Sequence, residues 1–324
     1  MGDDADGLVR SYVLDGKGGA RQVGWDGVRQ WRAEEGPLWI HLDRSEPDSD
    51  AWLRNESGLG ELESEALLAE ETRPRCLVLP HGLMVILRGV NLNPGADPED
   101  MVSLRIWVDT TRVITLRRRV LFAARDVQSS LEAGVGPKTT GALVVDLADR
   151  LIERMGPVIQ QLDDQLDAVE VEALDGVAQD LRPRLADLRR QAIALRRHMA
   201  PQRDALNGLT LPNAVLSDGD RLKVREIGDR VTRYLEDLDA LRERAAVTND
   251  EFSTRLSEAM NRRMYILSVV AAVFLPLGLL TGLLGVNVGG IPGTENQWAF
   301  TLVTLSLFGL GAGLMWWLRE RGFF

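Results

Sequence analysis

A single cysteine, Cys76, occurs in the 324 residues, so no disulfide can form within the chain. That scarcity places the water-soluble part in a reducing compartment, the cytosol. Histidine is nearly as rare, with only three: His41, His81 and His198. A net charge of -10 argues against a nucleic-acid partner, which a basic surface would favour. Residues 1–6 (MGDDAD) hold neither a basic nor an apolar stretch, so no secretory signal is expected there. Catalytic constellations are also missing. His41 and His81 are separated by two strand-like segments, no Ser or Cys sits in a triad context, and no glycine-rich loop runs into Lys-Ser or Lys-Thr. A lone His on an apolar strand is expected to be structural, and the chain is read as a non-enzyme.

Charge is absent from two long runs, and this absence is the informative one. Residues 264–284 and 298–318 each make about 21 residues, roughly 31 Å as helices, which matches a bilayer's hydrocarbon core. A membrane hairpin is expected, with an outer connection at 285–297. Arg262 and Arg263 precede the first run, Arg319 and Arg321 follow the second, and the connection has no Lys or Arg. By the positive-inside rule both termini face the cytoplasm. Trp298 marks one edge of the second run and Trp316 and Trp317 the other, as interfacial aromatics do.

Residues 1–139 alternate between short strands and helices and are expected to form a mixed α/β domain. Strands are predicted at 8–14 and 37–42, and a helix near Ala51, capped by Asp48 or Ser49. Residues 61–71 read as an exposed helix. Two hairpins are predicted: 76–79 with 83–88 around Pro80-His81-Gly82, and 103–108 with 113–117 around Asp109-Thr110-Thr111-Arg112.

Residues 140–263 turn helical. Met155, Ile159, Leu162, Leu166 and Val169 step by four and three, the seam of a packed helix, and Pro157 is expected to kink or end a first piece. Asp163, Asp164, Asp167, Glu170 and Glu172 give this helix an acidic side, while 181–203 is arginine-rich, so an antiparallel pair joined near Asp175-Gly176 is expected. The acidic side admits two readings: a solvated face paired with arginines, or a binder of divalent cations. No proline falls between Arg221 and Pro276. One helix of about 64 residues, roughly 96 Å, is therefore expected to run from the cytosolic part into the first span.

Within the hairpin, Gly278 and Gly282 form one small-xxx-small pair and Gly309 and Gly313 another, which implies close packing within or between subunits. Two helices cannot enclose a pore, so transport requires an oligomer. The turn 285–293 (GVNVGGIPG) has four glycines, a proline and one polar side chain, Asn287. Repeated around a ring, that amide offers oxygens to the water of a hydrated ion.

Gly285-Val286-Asn287 resembles the Gly-x-Asn signature of CorA-type divalent-cation transporters, and the extended turn is similar to that of the ZntB zinc-transporter branch. Arg73-Pro74-Arg75 and residues 87–107 resemble the same branch, so the similarity covers nearly the whole chain. The resemblance implies a homopentamer: a funnel-shaped α+β cytosolic part, long stalk helices, a pore lined by the first span and an outer ring made by the second. It implies a selectivity filter at Gly285, Val286 and Asn287. Helical spacing back from Asn287 then points to Gly278, Leu275, Ala271, Leu267 or Ser268, Met264 and Asn261 as pore-lining. Glu295 is a candidate for attracting cations at the outer loop, and Asp250 falls where some relatives hold a regulatory metal. Val286 departs from the commoner Met of the signature, and Arg319 and Arg321 replace a dense lysine cluster.

Zinc sites favour Cys and His, and the hairpin has neither, so a hydrated or partly hydrated divalent cation is expected. The choice of Zn²⁺ over Mg²⁺, Co²⁺ or Ni²⁺ comes from the resemblance alone. The first span holds no Asp, Glu, His, Lys or Arg, hence no obvious proton carrier. No resident cofactor is expected, and the partners are further copies of the chain, the bilayer and the transported cation. The competing reading is a membrane-anchored coiled-coil scaffold without transport.

Overall fold

A computed structural model of the chain describes residues 7–70, 72–175, 180–285, 293 and 296–320. The chain divides into two compact units, Met1–Asn249 and Asp250–Phe324.

The larger unit is built on a seven-stranded sheet in the order β2-β1-β3-β7-β6-β5-β4. The strands are β1 (Leu8–Leu14), β2 (Ala20–Gln22), β3 (Leu38–Asp43), β4 (Arg75–Leu79), β5 (Gly82–Gly89), β6 (Val102–Val108) and β7 (Arg112–Arg117). Both predicted hairpins form, β4 with β5 and β6 with β7, each antiparallel. Between them β5 pairs with β6, so 75–117 is an antiparallel meander. β3 pairs with β7 in parallel, Leu38 opposite Arg112 through Asp43 opposite Arg117.

Because helices cover both sheet faces, the inner strands are continuously apolar rather than alternating. Leu83 through Leu87 are all nearly inaccessible. On one face, Trp52 and Leu53 of α2 (Pro47–Asn55) and Leu67 of α3 (Glu61–Leu68) join Ile40, Leu42, Ile114 and Leu116 in one cluster. On the other, α5 (Thr140–Glu153) packs on β5, β6 and β7 beside α4 (Phe122–Glu132), and α7 (Leu181–Leu209) packs on β4 and β5. Each such buried Leu or Ile contributes about 1.5–3 kcal/mol over an exposed one. Gly208 lets α7 approach edge strand β4: a Cβ there would stand 2.9 Å from that of Cys76. Cys76 is half-buried, and burial pushes its thiol up to about 11.

The predicted cap at Asp48 or Ser49 is not what starts α2. Pro47, whose ring presets φ and which has no amide hydrogen to satisfy, opens the helix behind Glu46. Ser49 Oγ instead donates to Gly7 O at 3.0 Å. α3 is also shorter than expected, ending at Leu68, and it buries Ser64 and Leu67. Pro157 breaks rather than kinks: α5 stops at Glu153 and α6 (Gly156–Asp175) restarts with Pro157 in its first turn.

His41 is structural. It is fully buried on β3, with Nδ1 2.8 Å from Thr115 Oγ1, a hydroxyl that also accepts from Trp39 Nε1 at 2.8 Å. Burial first, then the charge of Arg117, hold its pKa down at about 3.

A reciprocal cap starts α8 (Asp218–Gly285): Ser217 Oγ accepts from the Asp220 amide and Asp220 Oδ2 from the Ser217 amide, both at 3.1 Å. α8 is continuous through Pro276, as expected from the proline-free stretch before it, and crosses from one unit into the other at Asn249. α9 (Ala299–Glu320) follows, its entry set by Asn296 Oδ1 accepting from the Trp298 amide at 3.0 Å.

Candidate ion pathway in the C-terminal helices

α8 and α9 are the two described helices long and apolar enough to cross a membrane. Leu267, Leu275, Phe300 and Phe308 are each more than 65% exposed, the reverse of a water-soluble arrangement. The less exposed positions form one stripe per helix: Tyr265, Val269, Val273 and Leu277 on α8, and Val303, Leu307, Gly311, Leu314 and Leu318 on α9. Within that seam a Cβ on Gly311 would lie 3.6 Å from Leu277 Cδ1. The close approach within the chain is therefore at Gly311. Gly278, Gly282, Gly309 and Gly313, singled out by spacing, each face open space.

The predicted pore positions fall on another side of α8. Met264, Ser268, Ala271, Leu275 and Gly278 share one exposed face, flanked by Asn261 and Leu267. At 100° per residue this face is centred roughly 150° from the seam with α9. Gly285 ends α8. Val286, Asn287 and Glu295 lie outside the described residues. Between α8 and α9, Gly293 adopts φ +86, a conformation that favours glycine, and its carbonyl accepts from the Asn296 amide at 3.0 Å. Thr281 Oγ1 bonds back to the carbonyls of Leu277 and Gly278 at 3.0 and 3.1 Å, so this hydroxyl in the last turns of α8 is engaged by its own helix.

The acidic side of α6 carries its own counter-ion. Arg244 of α8 donates through Nη1 to Asp163 at 2.8 Å, through Nη2 to Glu170 at 2.6 Å, and also to Asp167. Hydrogen bonds to Glu170 and Asp167 raise the Arg244 pKa. Glu172 pairs with Arg184 of α7, whose hydrogen bond lowers the carboxyl's pKa. The paired-arginine reading of this face therefore holds, but α8 supplies the main cation, 81 residues from Asp163. Among the described residues no group of three His, Cys, Asp or Glu is placed to hold a metal, and Asp250 is exposed on α8.

Residues 34–320 match the family described as CorA-like Mg2+ transporter protein. The chain is 47% identical to "Divalent cation transporter CmaX" of Pseudomonas aeruginosa, covering 98% of this chain and 97% of that one. It is 40% identical to "Zinc transport protein ZntB" of Yersinia enterocolitica, over 96% and 94%. The solved structure of the full-length CmaX protein superposes with a TM-score of 0.88 at 44% identity, over 99% of both chains. The complete CorA magnesium transporter of Methanocaldococcus jannaschii shares the fold at a TM-score of 0.81 and 17% identity, over 98% and 99%. Matched across nearly its whole length by relatives this similar, the chain belongs to the CorA-like Mg2+ transporter protein family.

Proposed function

We propose that the chain carries divalent cations, zinc foremost, across a bacterial inner membrane through a homopentameric pore whose outer filter is a ring of Asn287. Membership of a transporter family makes it a divalent-cation transporter rather than an enzyme. The finer reading rests on one observation: an uncharged, exposed face of α8 from Asn261 to Gly278, set apart from the seam that α9 occupies. In an oligomer that face is free to line a central path while α9 stands outside it. The division into 1–139, 140–263 and 264–324, with both termini cytoplasmic, is the frame for this reading.

Zinc is favoured because the relative named as a zinc transporter is 40% identical along almost the full chain. A relative of 47% identity is named only for divalent cations, so Mg²⁺, Co²⁺ and Ni²⁺ are the competitors to test. With no Cys, His or carboxylate in the first span, the cation keeps most of its water, and the Asn287 amides bind that shell. Gly282 and the Gly309/Gly313 pair, open within one chain, would then accept neighbouring copies.

Full-length protein in liposomes loaded with a metal-sensitive dye tests this against Zn²⁺, Mg²⁺, Co²⁺ and Ni²⁺, with and without a pH gradient. Zn²⁺ influx that Asn287→Ala abolishes, with the oligomer intact by mass, is the expected result. Unchanged flux in that variant sinks the filter assignment. No signal from any metal would favour the scaffold reading.

A further inference from the structure

The larger unit carries a 490 Å³ cavity, none of whose lining residues belongs to the proposed ion path. It opens at the carboxyl ends of β3 and β7, where Ser45 follows β3 and Arg118 and Arg119 follow β7. These two strands pair in parallel, and α/β sheets characteristically place ligands beyond the carboxyl ends of such strands. Arg88 of β5, Arg105 of β6 and His198 of α7 complete a basic wall.

The arginines differ in how they are engaged. Arg105, 3% exposed, donates to the carbonyls of Leu67 at 2.6 Å and Glu70 at 3.3 Å. Arg88 donates to the carbonyls of Thr72 and Met101 at 2.8 and 2.9 Å, and Arg44 to those of Leu68 and Ala69. Main-chain oxygens thus hold several guanidiniums in place. Arg118 and Arg119 are exposed and form no ion pair with a described residue.

Four arginines (Arg88, Arg105, Arg118 and Arg119) outnumber the three carboxylates of the lining (Glu70, Glu99 and Asp100), so its formal charge is positive. Burial, then Arg44, Arg88 and Arg118, bring Arg105 down to about 10. Burial, then Arg88, Arg197 and Arg73, bring His198 down to about 4. Glu70, Glu99 and Asp100 also line the cavity, but Glu70 and Asp100 are exposed, where water and salt screen them. In a chain of net charge -10 this is a local reversal of sign.

We propose that this cavity binds a phosphate group, either free or carried by a nucleotide. A guanidinium fork matches two phosphate oxygens at once, and Arg118 and Arg119 supply two forks at the mouth. Buried Arg105 and its neighbours add charge where water is scarce, so each contact is stronger than at an open surface. A halide or single carboxylate would leave most of these donors unused. The volume is that of a small-ligand pocket, large enough for more than the phosphate alone. The proposal does not depend on which cation the chain carries.

Calorimetry on the detergent-solubilised full chain tests this, titrating inorganic phosphate, pyrophosphate and ATP separately at fixed ionic strength without metal. Saturable binding is expected for at least one. Arg118→Gln and Arg119→Gln should each weaken it about tenfold, the worth of one charge-assisted contact. Arg190→Gln is the control, since Arg190 pairs with Asp187 on the exposed side of α7 and does not line the cavity. ATP or pyrophosphate binding more tightly than phosphate identifies a carried group, and equal binding identifies free phosphate; both support the site. No saturable binding by any of the three overturns it. So does binding that falls equally in all three variants, which would mark diffuse charge attraction.

Discussion

In the unit Met1–Asn249, large apolar side chains point inward: Trp39, Tyr12 and Leu53 are all but inaccessible, and helices cover both faces of the sheet. In the unit Asp250–Phe324 the same residue types point outward. Phe274, Leu275, Phe300 and Phe308 are each more than two-thirds exposed. Both units are apolar where they matter, and the difference lies in the solvent each was selected for. The first unit completes its core alone. The second leaves its apolar surface bare in a single chain, and the face proposed to line the ion path is among those bare residues.

The strongest test of this contrast is a pair of truncations, one at a buried site and one at an exposed site. Trp39→Ala empties a fully buried site and removes a donor to Thr115, and should cost about 3–5 kcal/mol in urea unfolding of the larger unit, followed by circular dichroism. Leu275→Ala, 73% exposed, should leave that midpoint unmoved while altering metal flux. Equal midpoint shifts would erase the distinction between the units.

A smaller effect separates them by pH. His41 stays neutral in the fold, with its pKa down at about 3 against an ordinary 6.5, whereas the unfolded chain takes up a proton below about pH 6.5. The fold therefore has this contribution in full above that pH. It loses about 1.4 kcal/mol for each unit the pH falls through 6.5 towards 3. His41→Gln should flatten the stability profile of the larger unit between about pH 6.5 and 5. Parallel profiles would remove His41 as the source.

Smaller still is the Arg244 network. Its groups are about 30–60% exposed, so solvent discounts each pair, and Arg244→Ala should cost about 1 kcal/mol, less in high salt. A loss that salt does not reduce would point to packing of the arginine stem rather than to charge. The smallest expected effect is that of Gly309→Ala on the larger unit's stability, effectively zero, since nothing lies within 4 Å of it in the chain. The same change should weaken the oligomer by native mass spectrometry if Gly309 packs against a neighbour.

Local features were legible from the residues. Turn chemistry at Asp109 to Arg112 fixed a hairpin, and the proline-free stretch after Arg221 foretold a helix running through the first span. What escaped was long-range. Nothing local states that β3 and β7 run parallel, because their pairing joins residues some seventy positions apart. For the same reason the acidic side of α6 was matched to the nearby arginines of α7, while Arg244 lay far along the chain. The small-residue spacing selected Gly309 and Gly313 for packing within or between subunits, and within the chain the seam centres on Gly311 instead, because spacing does not say which side of a helix is met. The arginine-walled cavity escaped entirely, since it is assembled from strand ends, a loop and a helix spread along the chain from Ser45 to His198.

The half-buried thiol under edge strand β4 has a practical consequence. With a pKa pushed up to about 11, on the order of 10⁻⁴ of Cys76 is thiolate near neutral pH, against a few per cent for an ordinary exposed cysteine. A cysteine introduced by Leu275→Cys or Gly278→Cys that faces water would thus react far faster than the native one, without any need to replace it. Cross-linking and metal protection read at those positions would count the copies around the axis and report whether they face a common aqueous path.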